Sequence, residues 1–145
     1  MSKDVRILLF FATVVFLYTA SSGQNNNRNP MGSSEYKATI EGLVRDVACP
    51  VQNHKSTATK FNLDCALACA KSGSPLIILT SKGDVYFPIS GQMPDPSQRE
   101  KLMPFFGKYV RASGTIYTRN DTRTIAIKEI KELPEVKLNS NYAGD

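Results

Sequence analysis

The chain's three cysteines, Cys49, Cys65 and Cys69, and its single histidine, His54, all fall between residues 49 and 69. Three thiolates and an imidazole are a sufficient donor set for a tetrahedral metal site. Thiolate-rich donors suit Zn(II) or Cu(I). Asp46, three residues before Cys49, can replace His54 as a ligand or orient it from behind. The spacing C-x4-H-x10-C-x3-C is not that of a zinc finger, so residue types carry more of this reading than the motif does. The competing reading is a disulfide from Cys49 to Cys65 or Cys69 with one thiol left over. Closing such a loop contributes roughly 3 kcal/mol in the chain-entropy model. A Cys65–Cys69 bridge fits poorly, because residues four apart on a helix stack with nearly parallel Cβ vectors. Cysteine also packs as a small hydrophobe among alanines such as Ala66, Ala68 and Ala70.

Catalysis finds less support. A cysteine and a histidine form a nucleophile and base in principle, but no third orienting residue of strong character accompanies them. C-x-x-C is absent, which removes the usual dithiol redox motif. The sequence reads as a non-enzyme.

The elements that must position these residues follow from periodicity. Tyr36, Ala38 and Ile40 alternate with polar neighbours, as in a half-buried strand. The phase slips at Gly42, which predicts a bulge or a sharp coil there in a long, bent strand, and the strand continues to Asp46. Residues 50–60 are polar and read as a loop carrying His54. Arg45 and Lys55 flank the cysteines and are expected to face water. Asn62 can cap a helix over residues 63–72, with Gly73 and Pro75 to stop it. That helix stacks Cys65 and Cys69 on one face. Residues 76–80 and 85–89 form a hairpin whose Pro88 marks an edge or strand end. Asp95-Pro96-Ser97-Gln98 predicts the start of a second helix, ended by Pro104. Residues 109–117 and 124–130 form a long hairpin bent at Gly114.

Strand, helix, two strands, helix, two strands predicts a mostly β fold, a small OB-like five-stranded barrel. The alternative is a two-layer α+β sheet. OB barrels often bind single-stranded nucleic acid through aromatics on a basic face. Tyr109, Arg111, Tyr117 and Arg119 are the residues that would form one, but no nucleic-acid partner is expected because the chain carries an export signal.

That signal is the N-terminus. Lys3 and Arg6 precede an uncharged apolar run over residues 7–20 and then Ser21, Ser22 and Gly23. This is the layout of a secretory signal peptide, and the run is short for a spanning helix of about 20 apolar residues. Retention would leave a membrane tether. The net charge is +5, and the basic residues are scattered, as on a solvated surface. Residues 1–23 are assigned to the signal, 24–35 to a disordered linker rich in Asn, Ser and Gly, 36–131 to the domain and 132–145 to a frayed tail. Outside the cytosol thiols oxidise, and an odd number cannot all pair, which favours a metal.

The ordered string Asp46-x-x-Cys49, His54, Cys65-Ala66-x-x-Cys69-Ala70, Gly73-x-Pro75 and the C-terminal hairpin resembles a group of small exported bacterial proteins for which no activity is established. The likeness covers residues 41–130. It implies an exported bacterial domain in the periplasm or outside the cell, without a transmembrane segment once mature. The expected partners are a metal ion and an unidentified envelope protein. The alternative role is a disulfide-stabilised binding or interaction module. If the signal is cut after Ser22 or Gly23, N-terminal sequencing of the exported protein should begin at Gly23 or Gln24. A start at Met1 would show retention.

Overall fold

The computed structural model describes residues 33–144. The expected signal peptide and nearly all of the expected linker lie outside the described residues. Five strands form the frame: β1 (Ser33–Asp46), β2 (Leu76–Thr80), β3 (Val85–Ile89), β4 (Tyr109–Arg119) and β5 (Thr122–Glu132). Helices α1 (Ala48–Gln52) and α2 (Leu63–Lys71) lie between β1 and β2. Helix α3 (Arg99–Leu102) and a 3-10 turn (Met103–Phe105) lie between β3 and β4.

The strands close on themselves in the order β1-β2-β3-β5-β4. Closure depends on the length of β1, whose first part pairs antiparallel with β4 and whose last part pairs with β2. On the far side β3 pairs parallel with β5 from Tyr86 to Ile89. The result is an OB-like five-stranded barrel, and the two-layer alternative is not adopted. Pro88 sits where β3 has passed beyond its ladder with β2, which ends at Tyr86, so its missing N–H breaks no bond there.

Gly42 is not a bulge. It is the crossing point of β1, paired with both Thr80 and Val110. A Cβ there would lie 2.4 Å from the Leu79 carbonyl oxygen. The interior phase runs through it unbroken: Ala38, Ile40 and Val44 all contribute to the barrel core. What changes after Gly42 is the outer face. Leu43 is also fully buried, in a second core outside the barrel with Phe61, Ala66, Ile77, Leu79, Tyr109 and Leu133. An apparent slip in a period-2 pattern is here a strand buried on both faces. The true bulge is at Gly114, where the β4–β5 register shifts.

Four further departures from expectation follow, two of them from this second core. The strand begins at Ser33, earlier than residue 36, because Ser33, Ser34 and Glu35 continue the β4 ladder. The polar segment 50–60 is not all loop, since Pro50 falls within α1 and Ser56 and Ala58 are buried. The tail after residue 131 is not frayed. Leu133, Val136 and Leu138 pack into the outer core. Asn139 and Asn141 form bridges with Lys60 and Asn62, and Phe61 N–H donates to the Asn139 carbonyl at 2.9 Å. The Lys60 ammonium sits 4.1 Å from the Tyr142 ring centroid, a cation–π contact. Finally, α3 starts at Arg99 rather than near Asp95. Asp95 instead accepts from the Ser90 N–H at 2.6 Å, which lowers its pKa.

Phe61 anchors this outer layer. Phe61→Ala should destabilise the chain by about 3–5 kcal/mol in chemical denaturation, with the barrel's far-UV β signal retained below the transition. An effect under about 1 kcal/mol would show that the outer core contributes little.

Candidate metal centre

Strand β1 ends in two charged residues, Arg45 and Asp46, both 0% exposed. The expectation that Arg45 faces water is therefore corrected. Its Nη1 donates to Ser56 Oγ at 2.5 Å, and its guanidinium carbon lies 5.4 Å from the Phe61 ring centroid. Its Nη2 is 3.4 Å from Asp46 Oδ1. Segment 56–61 has folded over the outer face of β1, and a guanidinium that would otherwise be solvated is enclosed by a hydroxyl, a carboxylate and a ring face. The other Asp46 oxygen, Oδ2, accepts from the Cys49 backbone N–H at 3.0 Å. An acidic acceptor three residues ahead satisfies one of the N–H groups that a helix start leaves unpaired. The carboxylate thereby turns the chain out of the sheet and into α1, fixing the backbone of Cys49.

Helix α2 supplies the other two thiols. The Asn62 side chain caps it, accepting from Cys65 N–H at 2.9 Å. Ala66 and Ala70 form its fully buried face. Cys65 and Cys69 lie one turn apart on a half-buried face. Gly73, at φ +98°, follows the helix as the sequence predicts.

Helix α1 brings Cys49 to this face. Its Sγ is 3.6 Å from Cys65 Sγ and 3.8 Å from Cys69 Sγ. All three sulfurs lie within 4.8 Å of one another, close enough to hold a metal ion. No pair is bonded as a disulfide. In a tetrahedron with Zn–S of 2.3 Å the edges are about 3.8 Å, so the two distances from Cys49 suit a common metal. Each cysteine is half-buried, and none belongs to either hydrophobic core. The cluster sits at the surface, on the connection between β1 and β2.

His54 and Asp46 are not members of this group. His54 is exposed on the loop after α1 and lines a separate cavity with Ser56, Thr57 and Lys82. Asp46 directs its oxygens to Arg45 and to the Cys49 amide, so its contact with the site is through the backbone of a ligand. Sequence reasoning missed Arg45 and Ser56 as the support of the site. The available signal was Ala58 and Phe61, two apolar residues in an otherwise polar stretch. Of the residues considered for an aromatic, basic face, Tyr109 is buried in the outer core and Arg111 pairs with Glu41 at 2.6 Å.

The Cys49 thiol is pushed far above the ordinary range. Burial is the largest cause, followed by the hydrogen bond to Cys65, the negative charge of Asp46 and the hydrogen bond to Cys69. Without a cation, the Cys49 thiol holds its proton, within S–H···S distance of Cys65 and Cys69. A bound metal reverses this, since it displaces protons from coordinating thiols.

Comparison with protein-family models, with curated proteins and with solved structures finds no match to this chain.

Two outcomes follow from this geometry. Metal-free Cys49 should alkylate much more slowly than free cysteine at pH 8, because little of it is thiolate. Mass mapping of the alkylated sites checks this, and a Cys49 rate equal to that of free cysteine would contradict it. Asp46→Asn removes the buried carboxylate that pairs with Arg45 and should cost about 3–5 kcal/mol in denaturant unfolding.

Proposed function

We propose that this chain is an exported small-barrel domain that binds one soft transition-metal ion, Zn(II) or Cu(I), on Cys49, Cys65 and Cys69. The observation that carries the reading is the convergence of all three sulfurs on one surface point, with 3.6 and 3.8 Å from Cys49 to its two neighbours. A chain with three cysteines bridged in the ordinary way needs only two of them together. The proposed role is structural, storage or transfer in the cell envelope, without catalysis. The basic, apolar and small-residue sequence of the N-terminus supports export, and the argument for a metal gains from it, because three thiols in an oxidising compartment need protection.

Metal analysis with thiol counting on the purified chain tests this. The expected result is one Zn or Cu per chain, with three reduced thiols counted after chelation and unfolding. Metal-free protein with a Cys49–Cys65 or Cys49–Cys69 disulfide and one free thiol would overturn it, in favour of a disulfide-stabilised interaction module.

A further inference from the structure

We propose that the metal on Cys49, Cys65 and Cys69 keeps one coordination position that the chain does not fill, and that this position takes a small neutral nitrogen donor from solution, of the imidazole type. The inference rests on the metal-binding reading above and deepens it.

The first argument is the ligand count. Among the described residues, no histidine nitrogen or carboxylate oxygen joins the three sulfurs within 4.8 Å. Asp46 and His54, the two further donors that the sequence suggests, are engaged elsewhere. Asp46 is fully buried, with one oxygen on the Cys49 N–H and the other facing Arg45. It cannot turn toward the sulfurs without giving up its bond from the Cys49 N–H and its ion pair with the buried Arg45, which is costly. His54 lines the cavity formed with Lys82 and Thr57, and the turn that carries it is closed by Lys55 N–H donating to Asn53 Oδ1 at 3.0 Å. Tetrahedral zinc with three protein ligands takes its fourth from outside, whereas a closed structural site has four protein ligands. The half-exposure of all three cysteines gives an outside ligand its path.

The second argument is charge. Three thiolates around a divalent ion leave a net negative centre. Asp46 adds a further negative charge, its Oδ2 lying 3.0 Å from the backbone N of Cys49, and Asp64 lies in the first turn of α2. The nearest buried cation, Arg45, is already paired with Asp46. A fourth anionic donor would add to the repulsion among the three thiolates, Asp46 and Asp64, with Lys71 in the last turn of α2 as the opposing charge on that helix, and a half-buried site screens such charges less than bulk water does. A neutral donor meets none. Imidazole is a good neutral ligand for zinc.

Cobalt(II) is the probe, because its visible spectrum reports the number and type of its ligands. The reduced, metal-free chain is titrated with Co(II), then with imidazole, and the titration is repeated with His54→Ala. Support would be single-site cobalt binding with sulfur-to-cobalt bands, a spectral shift that saturates with a single imidazole per cobalt, and the same behaviour in the variant. A spectrum that ignores imidazole, or one that changes on His54→Ala before imidazole is added, would overturn the inference, because a ligand from the chain then closes the site; the metal-binding reading would stand. Failure to bind cobalt at all, with three thiols shown to be reduced, would overturn both. Replacing imidazole by acetate separates neutral from anionic donors. A shift with acetate at comparable concentration would contradict the charge argument.

Discussion

A guanidinium and a carboxylate, adjacent in sequence and both removed from water at the end of β1, set the terms for everything around the cysteine cluster. A buried ion pair contributes little net stability by itself, because desolvation offsets most of the attraction. It does dictate structure, since neither charge can be left alone. Arg45 must be covered, and Ser56 and Phe61 cover it. Asp46 must use its second oxygen, and the Cys49 amide takes it. From these two requirements come the path of segment 47–62, the placement of α1 and the position of one of the three sulfurs.

The division of labour between barrel and insertion is clear in the burial pattern. The interior core is drawn from all five strands and contains no candidate chemistry. The outer core clasps the β1–β2 connection to the outside of the sheet, and the thiols lie on that connection. A closed sheet of this kind is a generic support, and its particular function must be sought in what is attached to it. Here that attachment is a cap, two short helices and a cluster of three thiols.

What the sequence discloses and what it hides divide along the same line. Helix α2, its Asn62 cap and the stacking of Cys65 with Cys69 are local, and local patterns are enough to find them. The strand order follows from the number and spacing of strands. The burial of Arg45 is not local. It depends on a loop fourteen or so residues away returning to cover one face of β1, and no periodicity within β1 signals that. The alternation that seemed to slip at Gly42 was reporting this cover, because Leu43 gains a second environment that Ile40 lacks. The tail was misjudged for a related reason. Leu133, Val136 and Leu138 are too sparse to read as an element, and they are ordered by the surface they meet. His54 was attractive as the only histidine between cysteines, yet proximity in sequence did not become proximity in space, since the helix start at Asp46 aims α1's cysteine one way and leaves the loop beyond it elsewhere.

The bridges from Asn139 and Asn141 to Lys60 and Asn62 impose an order in time. A chain emerges from the ribosome N-terminus first, so all three cysteines are outside before the residues that clamp the entry to α2 have been made. The cap residue of that helix receives its neighbour only from the last stretch of the chain. The surroundings of the cluster therefore draw on residues 139–142 as well as on the segment that carries the thiols.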